Sequence, residues 1–273
     1  MIKSTKDNNP SFYNPSFIEK SVKLLRISGN ESIKTLEFEF YDCNIFPGQF
    51  FMLRYKKFQK PISVSGYKDG VISFTIQDRG CGSKEMINSI ENDYFGLTGP
   101  LGNSFDLTNQ ESILILGGGI GIAPMLFLLE YLKNHHPKVN YRAVFGSRNR
   151  TLIDYAIHDD NKIDYFTDDG SYGVKGFITE SSLLKESYSK VYMCGPEKMM
   201  IAAYSIIREK NENIDISMER YMKCGIGICG SCVIDDLGER VCTEGPVFDI
   251  KKLLSTEEFG KYHRNSGGVI ERN

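Results

Sequence analysis

Residues 112–129 read SILILGGGIGIAPMLFLL, eighteen positions without a charge. A stretch of that length and polarity is either a membrane-spanning helix or an element buried inside a globular fold. Gly117, Gly118, Gly119, Gly121 and Pro124 decide between them, because each glycine costs a helix about 1 kcal/mol and an interior proline about 3. The segment therefore reads as a buried strand, a glycine turn and a helix with an apolar face, APMLFLLEYLKNH. An apolar strand feeding a helix is the repeating unit of a parallel sheet flanked by helices. The following sequence keeps that grammar: YRAVFGS reads as a strand, TLIDYAIHD as a helix, KIDYFTD as a strand, and SKVYMCGP as a strand leading into the helix EKMMIAAYSIIREKN.

Before residue 111 the grammar is different. KTLEFEF (34–40) and GVISFTIQ (70–77) alternate apolar and polar residues, and QFFMLRY (49–55) is rich in aromatics. Short strands separated by turn signals predict a small antiparallel barrel over about residues 16–106, with one helix after Ser83 through KEMINSI. A chain of 273 residues has room for both domains.

Composition excludes several classes. With 33 basic and 35 acidic residues the net charge is −2, so neither nucleic acid nor an anionic membrane is an expected partner. The first residues, MIKSTKDNNPSFYNPSF, hold no apolar core of a secretory signal and read as a polar lead-in over 1–15. Seven cysteines without such a signal indicate a reducing, cytoplasmic setting.

Four of those cysteines, Cys224, Cys229, Cys232 and Cys242, lie in KCGIGICGSCVIDDLGERVC with the spacing C-x4-C-x2-C-x9-C. Three thiolates in nine residues with a distant fourth is the ligand spacing of a two-iron, two-sulfur cluster. Gly225, Gly227 and Gly230 suit a loop that turns tightly and aims N–H groups at sulfur. Structural zinc and disulfides are the competing readings. Zinc sites favour two separated C-x2-C knuckles, which this segment lacks. Asp235, Asp236 and Glu239 beside the fourth cysteine read as a solvated acidic turn. Cys43, Cys81 and the four histidines show no ligand spacing.

Three strand ends point toward one ligand crevice, since open α/β sheets bind at the carboxyl ends of their strands. They are the turn Gly117, Gly118, Gly119 and Gly121, where a helix N-terminus could hold a pyrophosphate, the turn Cys194, Gly195 and Pro196, and TDDGSYGVKG (167–176). In the barrel, QKPISVSG (59–66) places Ser63 and Ser65 on a strand after Lys60 and Pro61, suited to the edge of a flat ring. Gly80, Gly82 and Ser83 in DRGCGSKEM form a turn whose N–H groups suit a diphosphate. An ordinary hairpin and tight turns would use the same residues.

Taken together these motifs resemble the ferredoxin-reductase superfamily, which has a flavin-binding barrel with an R-P-x-S strand and a nicotinamide-binding α/β domain with GGG-x-G-x-AP and CGP turns. The cysteine segment, ERYMKCGIGICGSC with RVC-x-x-GPVF, resembles the electron-transfer subunit family of dihydroorotate dehydrogenase B. The resemblance covers about residues 16–250. It implies a FAD-binding barrel over 16–106, an NAD-binding α/β domain over 111–217, a small C-terminal [2Fe–2S] lobe over 218–250, and a polar tail over 251–273. FAD is then expected on Lys60, Pro61, Ile62 and Ser63, on Thr75, Ile76 and Gln77, and on Gly80, Gly82 and Ser83. Lys60 stands where the family has Arg, and Ser83 where it has Thr. NAD is expected at the two glycine turns, with Cys194 facing the nicotinamide, and the cluster on the four cysteines.

The family's function implies a partner, an FMN-containing dihydroorotate dehydrogenase subunit, in a heterotetramer with two copies of each chain in pyrimidine biosynthesis. Electrons would pass from that FMN through the cluster and FAD to NAD+, with no acid or base side chain required here. Relatives in hydrogenases, sulfide dehydrogenases and bifurcating transhydrogenases share the motifs and are the alternative. GSRNR, with Ser147, Arg148 and Arg150 after a strand, leaves NAD against NADP open.

Overall fold

A computed structural model describes residues 18–41, 44–108 and 110–273. The lead-in over 1–15 and Cys43 lie outside the described residues. The first domain contains β1 (Lys20–Gly29), β2 (Ile33–Glu39), β3 (Phe50–Tyr55), β4 (Phe58–Ser63), β5 (Gly66–Lys68), β6 (Val71–Gln77), α1 (Cys81–Ile87) and β7 (Tyr94–Leu101). Its strands run β4-β3-β7-β1-β2-β6-β5, every pair antiparallel. The two outer strands, β4 and β5, are consecutive in the chain. Between them Val64 N donates to Gln49 O (3.1 Å) and Ser65 N to Ser73 O (2.9 Å). The chain thus leaves one edge of the sheet and joins the other, closing the expected barrel.

Alternation decides what fills it. Leu36 and Phe38, Phe51 and Leu53, Phe74 and Ile76, and Phe95 and Leu97 are buried in one cluster, each pair two residues apart on its strand as the pleat requires. The rings of Phe38 and Phe95 meet edge to face at 5.1 Å and those of Phe51 and Phe74 at 5.6 Å. Helix α1 starts at Cys81, three residues earlier than the expected start after Ser83. Gly80 takes a φ of 145°, and Ser83 Oγ accepts from Arg79 N at 2.8 Å, which closes the first turn around Gly82.

The second domain follows with β8 (Ser112–Gly118), α2 (Ile122–His135), β9 (Asn140–Ser147), β10 (Ile163–Thr167), β11 (Val174–Lys175), β12 (Lys190–Cys194), α3 (Glu197–Ile207), β13 (Ile214–Ser217) and β14 (Val247–Asp249). The order is β11-β10-β9-β8-β12-β13-β14, parallel throughout except for the antiparallel edge strand β14. The uncharged stretch is the central strand β8, a 3-10 turn at Gly119–Gly121, and α2. Among the described residues no helix is long and apolar enough to cross a membrane. TLIDYAIHD forms two 3-10 turns instead of an α-helix. Ile153 and Ala156, both fully buried, are three apart, which matches the 3-10 repeat.

The cysteine segment is an excursion between two neighbouring strands of this sheet: the chain leaves after β13 and returns as β14. Asn103, just past the barrel, pairs with the returning chain, donating from Nδ2 to Val247 O (2.8 Å) and accepting from Val247 N (2.9 Å). The residues beyond 250 are more than a polar tail. They form α4 (Ile250–Leu254) and the hairpin β15 (Tyr262–Arg264) and β16 (Ile270–Arg272), with Leu253 and Phe259 buried in the core of the second domain.

Asp160 ties α2 to this sheet, accepting from Tyr141 Oη (2.8 Å) and Lys162 N (3.0 Å) with Lys133 Nζ at 2.7 Å. Burial alone would raise its pKa, but Lys133, Lys162 N and Tyr141 outweigh that and bring it to about 2. A depressed carboxylate contributes stability above its unfolded value, and that contribution is lost as pH falls through the folded value. Asp160→Asn is expected to cost about 1–2 kcal/mol in urea melts at pH 7. The difference from the parent should shrink toward zero between about pH 4 and pH 2.

Candidate functional site

The loop links its cysteines through local contacts. Cys229 N donates to Cys224 Sγ at 3.5 Å, and the ionisation of Cys232 depends on that of Cys242. Two irons would each take two thiolates beside the bridging sulfides. Among the described residues no group of three Cys, His, Asp or Glu side chains is already placed to hold a metal ion. Backbone donors surround the sulfurs: Ile226 N reaches Cys224 Sγ at 3.5 Å and Gly227 N reaches Cys242 Sγ at 3.2 Å. The glycines permit this. Gly225, Gly227 and Gly230 have φ of 73°, 79° and 70°, a region costly for residues with a Cβ.

Two of the four thiols are eased toward losing their protons. Burial works against ionisation of Cys229, but hydrogen bonds from Ser231 and Cys224 prevail and lower its pKa to about 6. Cys232 is lowered to about 7 by its hydrogen bond with Cys242, which is raised in turn, so the two share a proton. Ligation needs thiolates, and Cys229 and Cys232 are eased toward that form. Arg240 braces the loop, donating to Gly227 O at 2.7 Å while Glu244 holds its other nitrogens.

This loop touches the barrel. A Cβ on Gly225 would lie 2.6 Å from Met52 Cγ and 3.2 Å from Leu101 Cδ1. Met52 stands opposite Pro61 in the β3–β4 ladder, and Phe50 opposite Ser63. The residue after the first cysteine is therefore one side chain away from the candidate flavin strand. Lys60 lies at the barrel end, its Cε 2.8 Å from where a Cβ on Gly82 would stand. A cation is thus held over the first turn of α1. Ile62, the residue between, packs on the barrel core. Ile76 is buried in that core, Gln77 accepts from Arg79 Nε (3.0 Å), and Thr75 Oγ1 lies 2.9 Å from Thr35 Oγ1 and 3.0 Å from Ser65 Oγ.

The two glycine turns of the second domain meet backbone to backbone. A Cβ on Gly121 would lie 2.6 Å from the Cys194 carbonyl and from Gly195 N, and one on Gly118 would strike Met199 and approach Pro196. Gly117 is the ladder partner of Cys194. At Gly80 and Gly119 a Cβ would meet nothing within 4 Å, so there the backbone faces open space, as close approach of a diphosphate requires. Burial and the nearby charge of Glu219 push the Cys194 thiol up to about 12, although the Ser217 hydroxyl opposes them. It is a neutral, polarisable surface suited to a flat ring.

The remaining strand-end groups serve their own turns. Thr167 Oγ1 donates to Tyr172 O, Asp169 accepts from Ser171, and Arg150 sits 3.5 Å from Asp154 and over the Tyr172 ring. In GSRNR, Ser147 Oγ donates to Asn149 O, which leaves the exposed Arg148 to face solvent. A cavity of about 400 Å³ lies at the domain seam between Thr35, Ser65 and Thr75 of the barrel and Glu130, Lys133 and His158. Of the residues singled out in the sequence for the flavin, Ser65 and Thr75 line it. Sequence reasoning missed this seam because its hydroxyls come from β2, from β6 and from the connection between β4 and β5. It also missed Asp235, read as part of a solvated turn but bound by Arg264 (2.8 Å) and Tyr262 (3.1 Å).

Comparison with known proteins agrees with this geometry. A family model described as the iron–sulfur cluster binding domain of dihydroorotate dehydrogenase B matches residues 219–254. Proteins named as probable electron transfer subunits of dihydroorotate dehydrogenase B (NAD(+)) are similar over most of their length. That of Methanothermobacter thermautotrophicus is 38% identical, covering 89% of this chain and 92% of its own. That of Pyrococcus furiosus is 36% identical, covering 93% and 94%. Among solved structures, a chain of an NADH-dependent reduced ferredoxin–NADP oxidoreductase superposes with a TM-score of 0.72 at 23% identity, covering 86% of this chain and 94% of that one. Phthalate dioxygenase reductase gives 0.61 at 17%, covering 75% and 70%.

Proposed function

Because the chain belongs to the family of dihydroorotate dehydrogenase B electron transfer subunits, we propose that it couples a partner's oxidation of dihydroorotate to the reduction of NAD+. Its cofactors are FAD, a [2Fe–2S] cluster and NAD. The cluster moves one electron at a time, the nicotinamide takes a pair as hydride, and the flavin exchanges either. The partner is the FMN-containing catalytic subunit, in a cytoplasmic heterotetramer with two copies of each chain.

The chain's own residues hold and separate these groups. Cys224, Cys229, Cys232 and Cys242 ligate the irons, with Gly227 N and Ile226 N donating to the sulfurs. Lys60 over the turn of Gly80, Gly82 and Ser83 neutralises a diphosphate. As an ammonium it acts as a point charge and not as the two-pronged donor of an arginine. The strand from Pro61 to Ser63 and that from Thr75 to Gln77 flank the flavin ring. The glycine turn at 117–121 would hold the NAD pyrophosphate, and Cys194, neutral at physiological pH, would offer the nicotinamide an apolar neighbour that needs to exchange no proton.

The observation that supports this reading is the packing of Gly225 on Met52, with the cysteine loop one side chain from the strand proposed to hold the flavin. The test is anaerobic purification with and without the co-expressed partner. Flavin and iron–sulfur absorption in the chain, with NAD+ reduction by dihydroorotate only in the complex, is the expected result. A colourless protein with equimolar zinc overturns it. Co-purification with a nickel or multi-cluster subunit would place the chain with the hydrogenase or transhydrogenase relatives.

A further inference from the structure

Arg220 has only 4% of its side chain exposed and lies between two carboxylates. Nε donates to Glu258 Oε1 at 2.5 Å, and Nη1 donates to Glu197 Oε1 and to Glu219 O. Each carboxylate makes further contacts. Glu258 Oε2 accepts from Asp235 N at 2.6 Å, and Glu197 Oε2 accepts from Gly260 N at 2.6 Å and Asn273 Nδ2 at 2.9 Å.

These partners come from four places. Glu197 is the first residue of α3, directly after the Cys194, Gly195 and Pro196 turn. Arg220 precedes the first cysteine by four residues, and Asp235 follows Cys232 by three. Glu258, Gly260 and Asn273 belong to the C-terminal segment. One guanidinium therefore joins the nicotinamide-side turn to both ends of the C-x4-C-x2-C run, with the C-terminal segment as the brace. A buried ion triad is a poor source of stability, and this one leaves Arg220 Nη2 buried without a partner among the described residues. Its value lies in geometry.

We propose that Arg220 is a positioning residue whose clamp on Glu197 and Glu258 fixes the cysteine loop relative to the nicotinamide-side turn. The inference rests on the reading of 224–242 as the cluster loop. Lysine at 220 keeps the charge but cannot bond both carboxylates in one plane, and Gln at 258 removes one of the two charges.

The experiment compares Arg220→Lys and Glu258→Gln with Glu271→Gln, which disturbs only the exposed rim of the C-terminal hairpin. Amide hydrogen exchange is measured on the protein as purified, and stopped-flow reduction by NADH separates the flavin and cluster phases. The two clamp variants should speed exchange across 224–242 by about tenfold or more and slow the cluster phase relative to the flavin phase by a similar factor. Their cluster EPR lines should broaden, and Glu271→Gln should change none of these. Faster exchange confined to 255–273, with phase ratio and EPR as in the parent, would overturn the clamp and leave Arg220 a local support. If the parent lacks flavin and iron–sulfur bands, the functional reading fails instead, and the exchange pattern still tests the clamp. If Arg220→Lys does not fold, Glu258→Gln carries the same comparison.

Discussion

Cys229→Ala is expected to bleach the iron–sulfur absorption and to lower dihydroorotate-coupled NAD+ reduction by about a hundredfold or more, since loss of outer supports alone costs metal sites about 10–100-fold. Cys229 is exposed, so truncating it leaves no large cavity and the fold should persist. One iron is then left with a single thiolate. NADH oxidation by an artificial acceptor that reacts at the flavin should continue near the parent rate, because the two glycine turns and the barrel strands are untouched. Iron content, the visible spectrum and the two turnover assays measure this together. Cys81→Ala, at an exposed cysteine in α1, serves as the control. Equal loss of both activities would contradict an order in which the cluster stands between the partner and the flavin.

The local grammar of the chain was legible because it is written in short-range terms. Alternation marked β2 and β6, aromatic content marked β3, and the glycine run after an apolar strand marked β8 and the start of α2. The cysteine spacing marked a glycine-rich loop whose backbone N–H groups turn toward sulfur. What escaped depends on residues far apart in sequence. The barrel closes through Val64 and Ser65, two residues that look like any hairpin turn until Gln49 and Ser73 are placed on either side of them. The cysteine segment looked like an appended lobe because nothing local says that VFD will return to the sheet beside β13. The fixing contact is Asn103, 144 positions away. The C-terminal segment looked like a polar tail because its anchors are few: Leu253, a buried carboxylate, Glu258, and a ring, Phe259. A Glu in a polar stretch signals solvent unless its Arg partner, 38 residues earlier, is known. The 3-10 turns at 150–156 were hidden by similar periods: over seven residues, 3.0 and 3.6 repeats place Ile153 and Ala156 on one face alike.

The second large effect is expected at Gly121. A Cβ there would stand 2.6 Å from Cys194 C and O and from Gly195 N, all backbone atoms at the end of β12. A flexible side chain could swing away from such a clash, but two turns fixed by β8 and β12 cannot. Gly121→Ala must therefore push the glycine turn and the Cys194 turn apart. Overpacking of this kind costs about 1–3 kcal/mol, and a fall in Tm of about 3–10 °C is expected for a chain of this size. The functional loss should be greater than the loss of stability suggests, because both turns of the proposed dinucleotide site are displaced together. KM for NADH in the artificial-acceptor assay should rise by about tenfold or more, a penalty typical of misplaced binding groups, with the flavin and cluster spectra retained. Gly119 supplies the contrast. Its φ is 55° and a Cβ there meets nothing within 4 Å, so Gly119→Asn, a residue tolerant of that conformation, should be far milder in Tm, although its side chain would enter the space left for the diphosphate and KM for NADH should still rise. If Gly121→Ala bound NADH as the parent does, the contact between the two turns would be packing alone, and the dinucleotide would have to be placed elsewhere in the crevice.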